Sequence, residues 1–567
     1  MKSKTKFLAS VMLLLALLLT IPALAATMDG YTEVSTAEEL VSALIGDAAK
    51  IRLTQNIDTT AQTTDRFQID RTLELDLNNF TWTAKAPSEG DYGMLYLTGS
   101  GDLTVKNGAI SLGTGGSVAI WMYSEGTALE LQGVTLNGSI ANIKGTVRAI
   151  TSCNISLSVA NGGGTGALVV GAGNHSSSGS VGLIQNSTIS GNGTNVCGIS
   201  LFSGTISSIA DCTISSDGGW GMNLVDATVI ELLRTSVTGG ISYGTIGSVH
   251  LTAEDTIDVM NHVTITGGSD GWGISNSGKI GTITDCHISA NLDAICNNGA
   301  ITTISGCTLL ASGTYGKSIE NGSGATIGTV SGCTLTATQS SLHNHPGASI
   351  KTVTSNTINT RVANGGTITS LSSNTFTIPE SDAINNTGWG EGKQGTITTC
   401  ENNTFAEESP AVYTMKFARQ IRLYEPWGVR VSMMVDLNGS AIALQNNSNV
   451  KSVGIYFLQG GTAPGQETMA ASGTLVASEF NAALSSSQDV YSSDFVGIQT
   501  SKLAETIYYM GALTLADGTT VYSDVREMSV LELLQAGVSN ASMSTEEKNV
   551  YQAIINWYDA YQTYLNN

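Results

Sequence analysis

From about residue 100 onward the apolar positions fall in short groups with one recurring layout. In "ITTISGCTL", which starts at Ile301, a second apolar residue follows three positions on, a cysteine six on and a third apolar residue eight on. The same layout returns as Val147, Ile150, Cys153 and Ile155, as Ile206, Ile209, Cys212 and Ile214, as Ile280, Ile283, Cys286 and Ile288, and as Ile327, Val330, Cys333 and Leu335. Ser187, Thr235 and Val263 fill the cysteine slot in other copies, and Asn356, Asn374 and Asn403 fill it in the last ones. Weaker copies start at Asp102 and Ala128, and the copy at Ile397 carries Cys400 in its second slot.

A second row keeps step with the first. Asn276, Asn297, Asn321, Asn344, Asn364 and Asn386 each follow an apolar residue two positions back, at spacings of 21, 24, 23, 20 and 22. Short β-branched runs separated by Gly, Ser and Asn cannot bury their apolar side within one such copy, so neighbouring copies must stack, strand over strand. Each asparagine is then expected at a turn, donating its amide to one coil and accepting from the next, as a structural ladder. The cysteines at 286, 307 and 333 are expected as an interior stack of free thiols, and the absence of a C-x-x-C pair argues against a zinc site of the usual spacing.

On these two rows the chain resembles the right-handed parallel β-helix of the pectate-lyase-like superfamily, over roughly residues 30 to 408. The expected fold is all-β: a right-handed parallel β-helix, or solenoid, with an N-terminal capping helix, followed by a smaller β-sandwich-like domain that ends in an α-helix. "STAEELVSALIGDAAKIRL" supplies the cap, with a capping box from Ser35 to Glu38 and Leu40, Val41 and Leu44 on one face. Beyond residue 408 the asparagine and cysteine rows stop and longer alternating strands begin, such as "VKSVGIYFL" and "TIYYMGALTLADGTTVYSDV", the latter turning at Asp517-Gly518. The last helix carries a capping box from Ser544 to Glu547 and an expected core-facing stripe of Val550, Ile554, Trp557 or Tyr558, Tyr561 and Leu565. This end resembles a C-terminal module of secreted proteins from Gram-positive anaerobes. The expected domains are 1–25, signal peptide; 26–100, cap and first coils; 101–408, β-helix repeats; and 409–567, the C-terminal module.

The first residues place lysines before an apolar run that ends in Ala23-Leu24-Ala25, the layout of a secretory signal with the mature chain starting at Ala26. No transmembrane segment is expected in the mature chain, so the protein is placed outside the cell, secreted or held at the surface, as a monomer. A net charge of −21 repels phosphate backbones and excludes nucleic acid as a partner. The expected partner is an extracellular glycan or a cell-surface component.

Strand alternation offers one candidate site. If Ile319, Leu342 and Val362 point inward, then Glu320, His343 and, one step earlier on the next coil, Arg361 point outward within two coil steps. These are the catalytic candidates, with Glu320 or His343 moving a proton and Arg361 neutralising a substrate carboxylate; Asp293 and His345 are the substrate-binding candidates. The competing reading is a solvated sheet face. The aspartate clusters and the G-H-G and R-I-K strings of polygalacturonase-like hydrolases are absent, and Asp217, Asp270 and Asp382, which a calcium-dependent lyase would need together, are scattered. No cofactor or metal site is expected, and calcium is the one ion left open. The tryptophans of "DGGWGMN", "DGWGISN" and "NTGWGEG" are expected to pack inward. Outward threonines at 188, 213, 264, 308, 334, 357, 375 and 404 suit a strand's solvent face. The sequence therefore favours a non-catalytic β-helix for glycan contact or adhesion, with a polysaccharide lyase or glycoside hydrolase as the alternative and an ice-binding lattice as a remote one.

Overall fold

A computed structural model of the chain describes residues 30–566 apart from 88–92, 114–117, 162–164, 172–177, 241–246, 270, 387–393, 408–411, 424–425, 439, 443–446 and 481–489. The expected signal segment lies outside the described residues, as do Asp270 and Trp389. The chain divides into two compact units, Met1–Glu408 and Ser409–Asn567.

The first unit is a right-handed parallel β-solenoid of about 13 turns. A typical coil supplies three short strands, such as Lys279–Thr284, His287–Ala290 and Ile295–Asn297. The first two belong to a 28-stranded sheet and the third to a 14-stranded sheet. Equivalent residues lie over one another: Ile280 pairs with Ile301 and that with Ile327, while Ile288 pairs with Leu309 and that with Leu335. Ile280, Ile283, Ile288 and Ile295 are all fully buried. Each such side chain contributes about 1.5–3 kcal/mol when removed from water, and only stacking removes it, because a lone coil has nothing to close its open edges.

The two strands of the wide sheet meet at a bend that the sequence pattern does not announce. Ser152, Asn186, Asp211, Arg234, His262, Asp285, Gly306, Gly332, Ser355, Ser373 and Asn402 each adopt left-handed backbone, with φ between 45° and 65°. The residue after each bend is the cysteine slot, and the bend takes its N–H out of the strand ladder. The side chain of the slot on the next coil meets it: Cys286 N–H donates to Cys307 Sγ at 3.5 Å, Cys307 N–H to Cys333 Sγ at 3.4 Å, Cys333 N–H to Asn356 Oδ1 at 2.9 Å and Asn356 N–H to Asn374 Oδ1 at 3.0 Å. Cys, Ser, Thr and Asn interchange in this slot because each is a small buried acceptor, and Val263, whose side chain offers Thr235 N–H none, is the exception. All eight cysteines are free thiols, seven buried and Cys400 exposed.

The asparagines close the other corner. Asn276, Asn297, Asn321, Asn344 and Asn364 end narrow-sheet strands with their side chains inward and donate in turn to the next rung at 2.7–2.8 Å, the last to Asn386. Each also reaches a backbone carbonyl just beyond that next rung, as Asn321 reaches Ser349 at 3.3 Å. The same column begins as Ile69, Leu97, Met122, Asn142, Val170, Leu201, Leu224 and Leu251 before Asn276 takes over.

A helix at Ala37–Ile45 precedes the coils. Its capping box is one residue later than expected, from Thr36 to Glu39 rather than Ser35 to Glu38; Ser35 N–H and Oγ also donate to Glu39, at 2.7 and 2.9 Å. Leu40, Ala43 and Leu44 form its buried face.

The second unit holds two antiparallel sheets whose apolar faces share one core, Val429, Val431 and Met433 from one and Ile455, Phe457 and Leu513 from the other. The Asp517-Gly518 turn joins Ile507–Leu515 to Thr520–Tyr522. The terminal helix, Thr545–Asn566, meets the expected stripe in part: Tyr558 is buried and Ile554 packs against the core beside Tyr551 and Ile555, whereas Val550, Trp557, Tyr564 and Leu565 are exposed. Two apolar stripes lie one residue apart on this helix, and the packed one runs through the tyrosines that reach the helix at Val530–Ser539, as Tyr551 does at Gly537.

Candidate functional site

The outward row of the narrow sheet beside the asparagines reads Ser275, Cys296, Glu320, His343 and Ala363 on successive coils. Although it faces away from the interior, Ser275, Cys296 and His343 are buried. Strand Lys317–Asn321 carries Lys317 and Glu320, and strand Ser340–Asn344 carries His343, with His345 directly after it. Asp293 sits in the turn before Ile295–Asn297 and Trp272 in the turn before Ile274–Asn276.

These turns and strands bring one cluster together. His345 Nε2 lies 2.7 Å from Glu320 Oε1, and Lys317 Nζ lies 3.3 Å from the same oxygen and 3.5 Å from Asp293 Oδ1. Asp293 also accepts from Lys317 N–H at 3.1 Å and from the indole N–H of Trp272 at 3.2 Å. The rings of His343 and His345 stack at 4.3 Å with 14° between their planes. Cys296 Sγ stands 4.0 Å from Glu320 Oε2.

Burial and mutual charge set the protonation pattern. Burial pushes the Asp293 carboxyl up, and its hydrogen bond to Glu320 and the Glu320 charge push the same way, against Lys317. In Glu320 burial acts upward too, but hydrogen bonds from His345 and Asp293 and the Lys317 charge outweigh it and hold the carboxylate ionised. The pair thus shares one proton, and Asp293, the more enclosed, keeps it. Burial and the nearby His345 push His343 down to about 4, so its ring is neutral at pH 7. Burial and the two carboxylates push the Cys296 thiol up to about 12.

Arg361 stands apart from this cluster. It lies in the turn between Thr357–Ile358 and Val362–Asn364, exposed, and its side chain makes no hydrogen bond or ion pair among the described residues. It lines a groove of about 510 Å³ with Thr338, Gln339, Thr360, Ser381, Asp382 and Asn385. One wall is the short helix Glu380–Ala383. Below it, Arg361, Gln339 and Asn385 also border a small cavity that reaches His343 and holds about 10 Å³, room for about one water.

Of the five residues singled out by alternation, four meet: Glu320, His343, His345 and Asp293. The fifth, Arg361, faces the groove instead, because it precedes its strand and so falls in the corner rather than on the sheet. Sequence reasoning missed Lys317 and Cys296, although their strand registers were readable, and misplaced Trp272. Rather than lining the interior, Trp272 is half-buried and bonded to Asp293, and Trp220 is half-buried and stacked on His250 at 4.5 Å. Both tryptophans lie in turns, where strand alternation no longer fixes direction.

No protein-family model matches the chain. No curated protein matches it either. Among solved structures it is similar to a double mutant of the tailspike protein of E. coli bacteriophage HK620, at 10% sequence identity and a TM-score of 0.27, over 88% of this chain and 90% of that one.

Proposed function

We propose that this is a secreted or surface-associated β-helix protein, akin to the pectate-lyase-like solenoids, that contacts a neutral extracellular glycan through the groove around Arg361. One observation carries the reading: an open groove of about 510 Å³ lined mainly by amides and hydroxyls, with Ile378, Ile384 and Asp382 among them, in which the Arg361 guanidinium makes no hydrogen bond or ion pair among the described residues. Gln339, Asn385, Thr338, Thr360 and Ser381 offer donors and acceptors that suit sugar hydroxyls, and Arg361 adds a five-donor fork. Asp382 stands in the same groove, and the chain's net charge of −21 repels polyanions. A neutral saccharide fits this balance better than a polyuronate.

Contact rather than cleavage is favoured by how the carboxylates are engaged. Glu320 and Asp293 are tied to His345, Lys317 and Trp272, and a cavity of about one water separates the groove from His343. The test is a glycan array probed with the full chain, run beside an assay for reducing and unsaturated sugar ends. Binding of neutral glycans is expected, with R361A weakening it about tenfold, or about 1.4 kcal/mol. A clean array overturns the reading. Release of sugar ends by the natural chain, abolished in E320Q, replaces it with the lyase or hydrolase alternative.

A further inference from the structure

Glu320, His343 and His345 each present a donor atom within 4.8 Å of the other two, and Asp293, Cys296 and Glu320 form a second such group that shares Glu320. We propose that Glu320, His343 and His345 bind one divalent transition-metal ion of the zinc class, with Cys296 as the fourth ligand. The ion does not depend on what the Arg361 groove binds, although a small cavity leads from that groove to His343.

The donor chemistry selects the ion. Two imidazoles, a carboxylate and a thiol suit zinc, cobalt or nickel, whereas calcium and magnesium require oxygen ligands throughout. Bonds of about 2.0–2.3 Å in tetrahedral geometry place neighbouring ligand atoms about 3.4 Å apart. His345 Nε2 and Glu320 Oε1, now 2.7 Å apart, need to separate by less than about 1 Å, the other donors of the histidine–glutamate triad close from within 4.8 Å, and Cys296 Sγ, 4.0 Å from Glu320 Oε2 and outside that triad, has furthest to swing. The backbone already fixes the frame: Cys296, Glu320 and His343 occupy one column on three paired strands, and His345 follows His343 by two residues.

Lys317 acts as the resident cation. Its ammonium lies 3.3 Å from Glu320 Oε1 and 3.5 Å from Asp293 Oδ1. An incoming ion takes Glu320 and leaves Lys317 on Asp293, which stays anchored by the Lys317 N–H and the Trp272 indole at 3.1 and 3.2 Å. The lysine thus competes with the ion for Glu320, and removing its charge tightens binding.

The test uses the full chain in a C400S background, which removes the exposed thiol, stripped with chelator and titrated with Co²⁺ while visible absorption is followed. One equivalent is expected, with tetrahedral cobalt bands and a sulfur-to-cobalt charge-transfer band that C296S abolishes. H345A and E320Q are expected to weaken binding by about tenfold or more. K317M is expected to tighten it, and because this variant removes no ligand it tests the site even where a ligand variant fails to fold. Uptake by H345A equal to that of the parent overturns the proposal, and so does K317M binding Co²⁺ no more tightly than the parent. A charge-transfer band that persists in C296S removes Cys296 from the site.

Discussion

Asn297 donates its side-chain amide to Asn321 at 2.8 Å, and Asn321 passes the same bond to Asn344 at the same distance. Both ends of every inner rung are therefore engaged, and all of these groups are fully buried. Replacing Asn321 with Leu strands a donor on Asn297 and an acceptor on Asn344, at about 1–3 kcal/mol each. N276L, at the end of the row beside Leu251, strands no amide on a preceding rung: it frees the acceptor of Asn297, which still receives Gly299 N–H at 3.3 Å, and the backbone N–H of Gly278. The expected order of urea midpoints is natural chain, N276L, then N321L. Equal loss in the two variants would show that the rungs do not depend on one another.

The cysteine slot is expected to tolerate any small acceptor and to resist its removal. C307S keeps an acceptor for Cys286 N–H, whereas C307V removes it while filling nearly the same space. Thermal unfolding should place C307V below C307S by about 1–3 kcal/mol, the cost of one unmet buried N–H. The reverse order would mean that sulfur packing, not acceptance, governs the slot.

The bends before the slot should be sensitive to side-chain shape. Gly306 has φ +65°, and a Cβ there would stand 2.3 Å from Asp285 Oδ1. G306V is expected to cost about 1–2 kcal/mol for left-handed backbone alone, read as a lower denaturation midpoint, while G306N should cost less. Indifference of the midpoint to valine would remove the bend from the account of the fold.

An acid limb of stability is expected from the first coils. Glu74 faces Lys106, the Tyr31 hydroxyl and, at 3.4 Å, Lys50. Burial acts against its charge, but hydrogen bonds from Lys106 and Tyr31 and the charges of Lys106 and Lys50 hold its carboxyl at about 2 against an ordinary 4.5. The folded value lies below the unfolded one, so this stabilisation is complete above about 4.5 and disappears as pH falls towards 2. E74Q should therefore be less stable than the natural chain at pH 7, with the gap closing between those two values. A gap constant down to pH 2 would contradict the assignment.

In the terminal helix, Y558A should cost about 3–5 kcal/mol, the price of an emptied aromatic core position, whereas W557A should change stability little, because Trp557 is 48% exposed. Circular dichroism melts of the two variants separate the stripes. A larger loss in W557A would put Trp557 rather than Tyr558 on the packed face.

What could be read in advance divides along physical lines. Inward residues such as Ile280 and Ile319 and the asparagine row follow from two-residue alternation and a period that both rows share, and each copy repeats the message. The bends could not be read so easily, because Arg234, His262 and Ser355 adopt the same left-handed conformation as Gly306; tertiary pairing imposes it where local preference does not. Asp293 and Trp272 sit in turns, where the alternation lapses. Lys317 stands three residues before Glu320 on one strand, out of step with the column it joins, so its role emerges only once Asp293 is seen across the coil. On the terminal helix two neighbouring apolar stripes compete, and only the packing partner decides between them.

The column that ends narrow-sheet strands is mostly aliphatic up to Leu251 and amide from Asn276 onward. Aliphatic contacts have no direction, so an early coil that slips along its neighbour by one pleat still meets something greasy. An amide that slips loses both its partners. The later coils, where Arg361 and Glu320 stand, are thus indexed against sliding, and turns there can lengthen or shorten without disturbing which side chains come face to face.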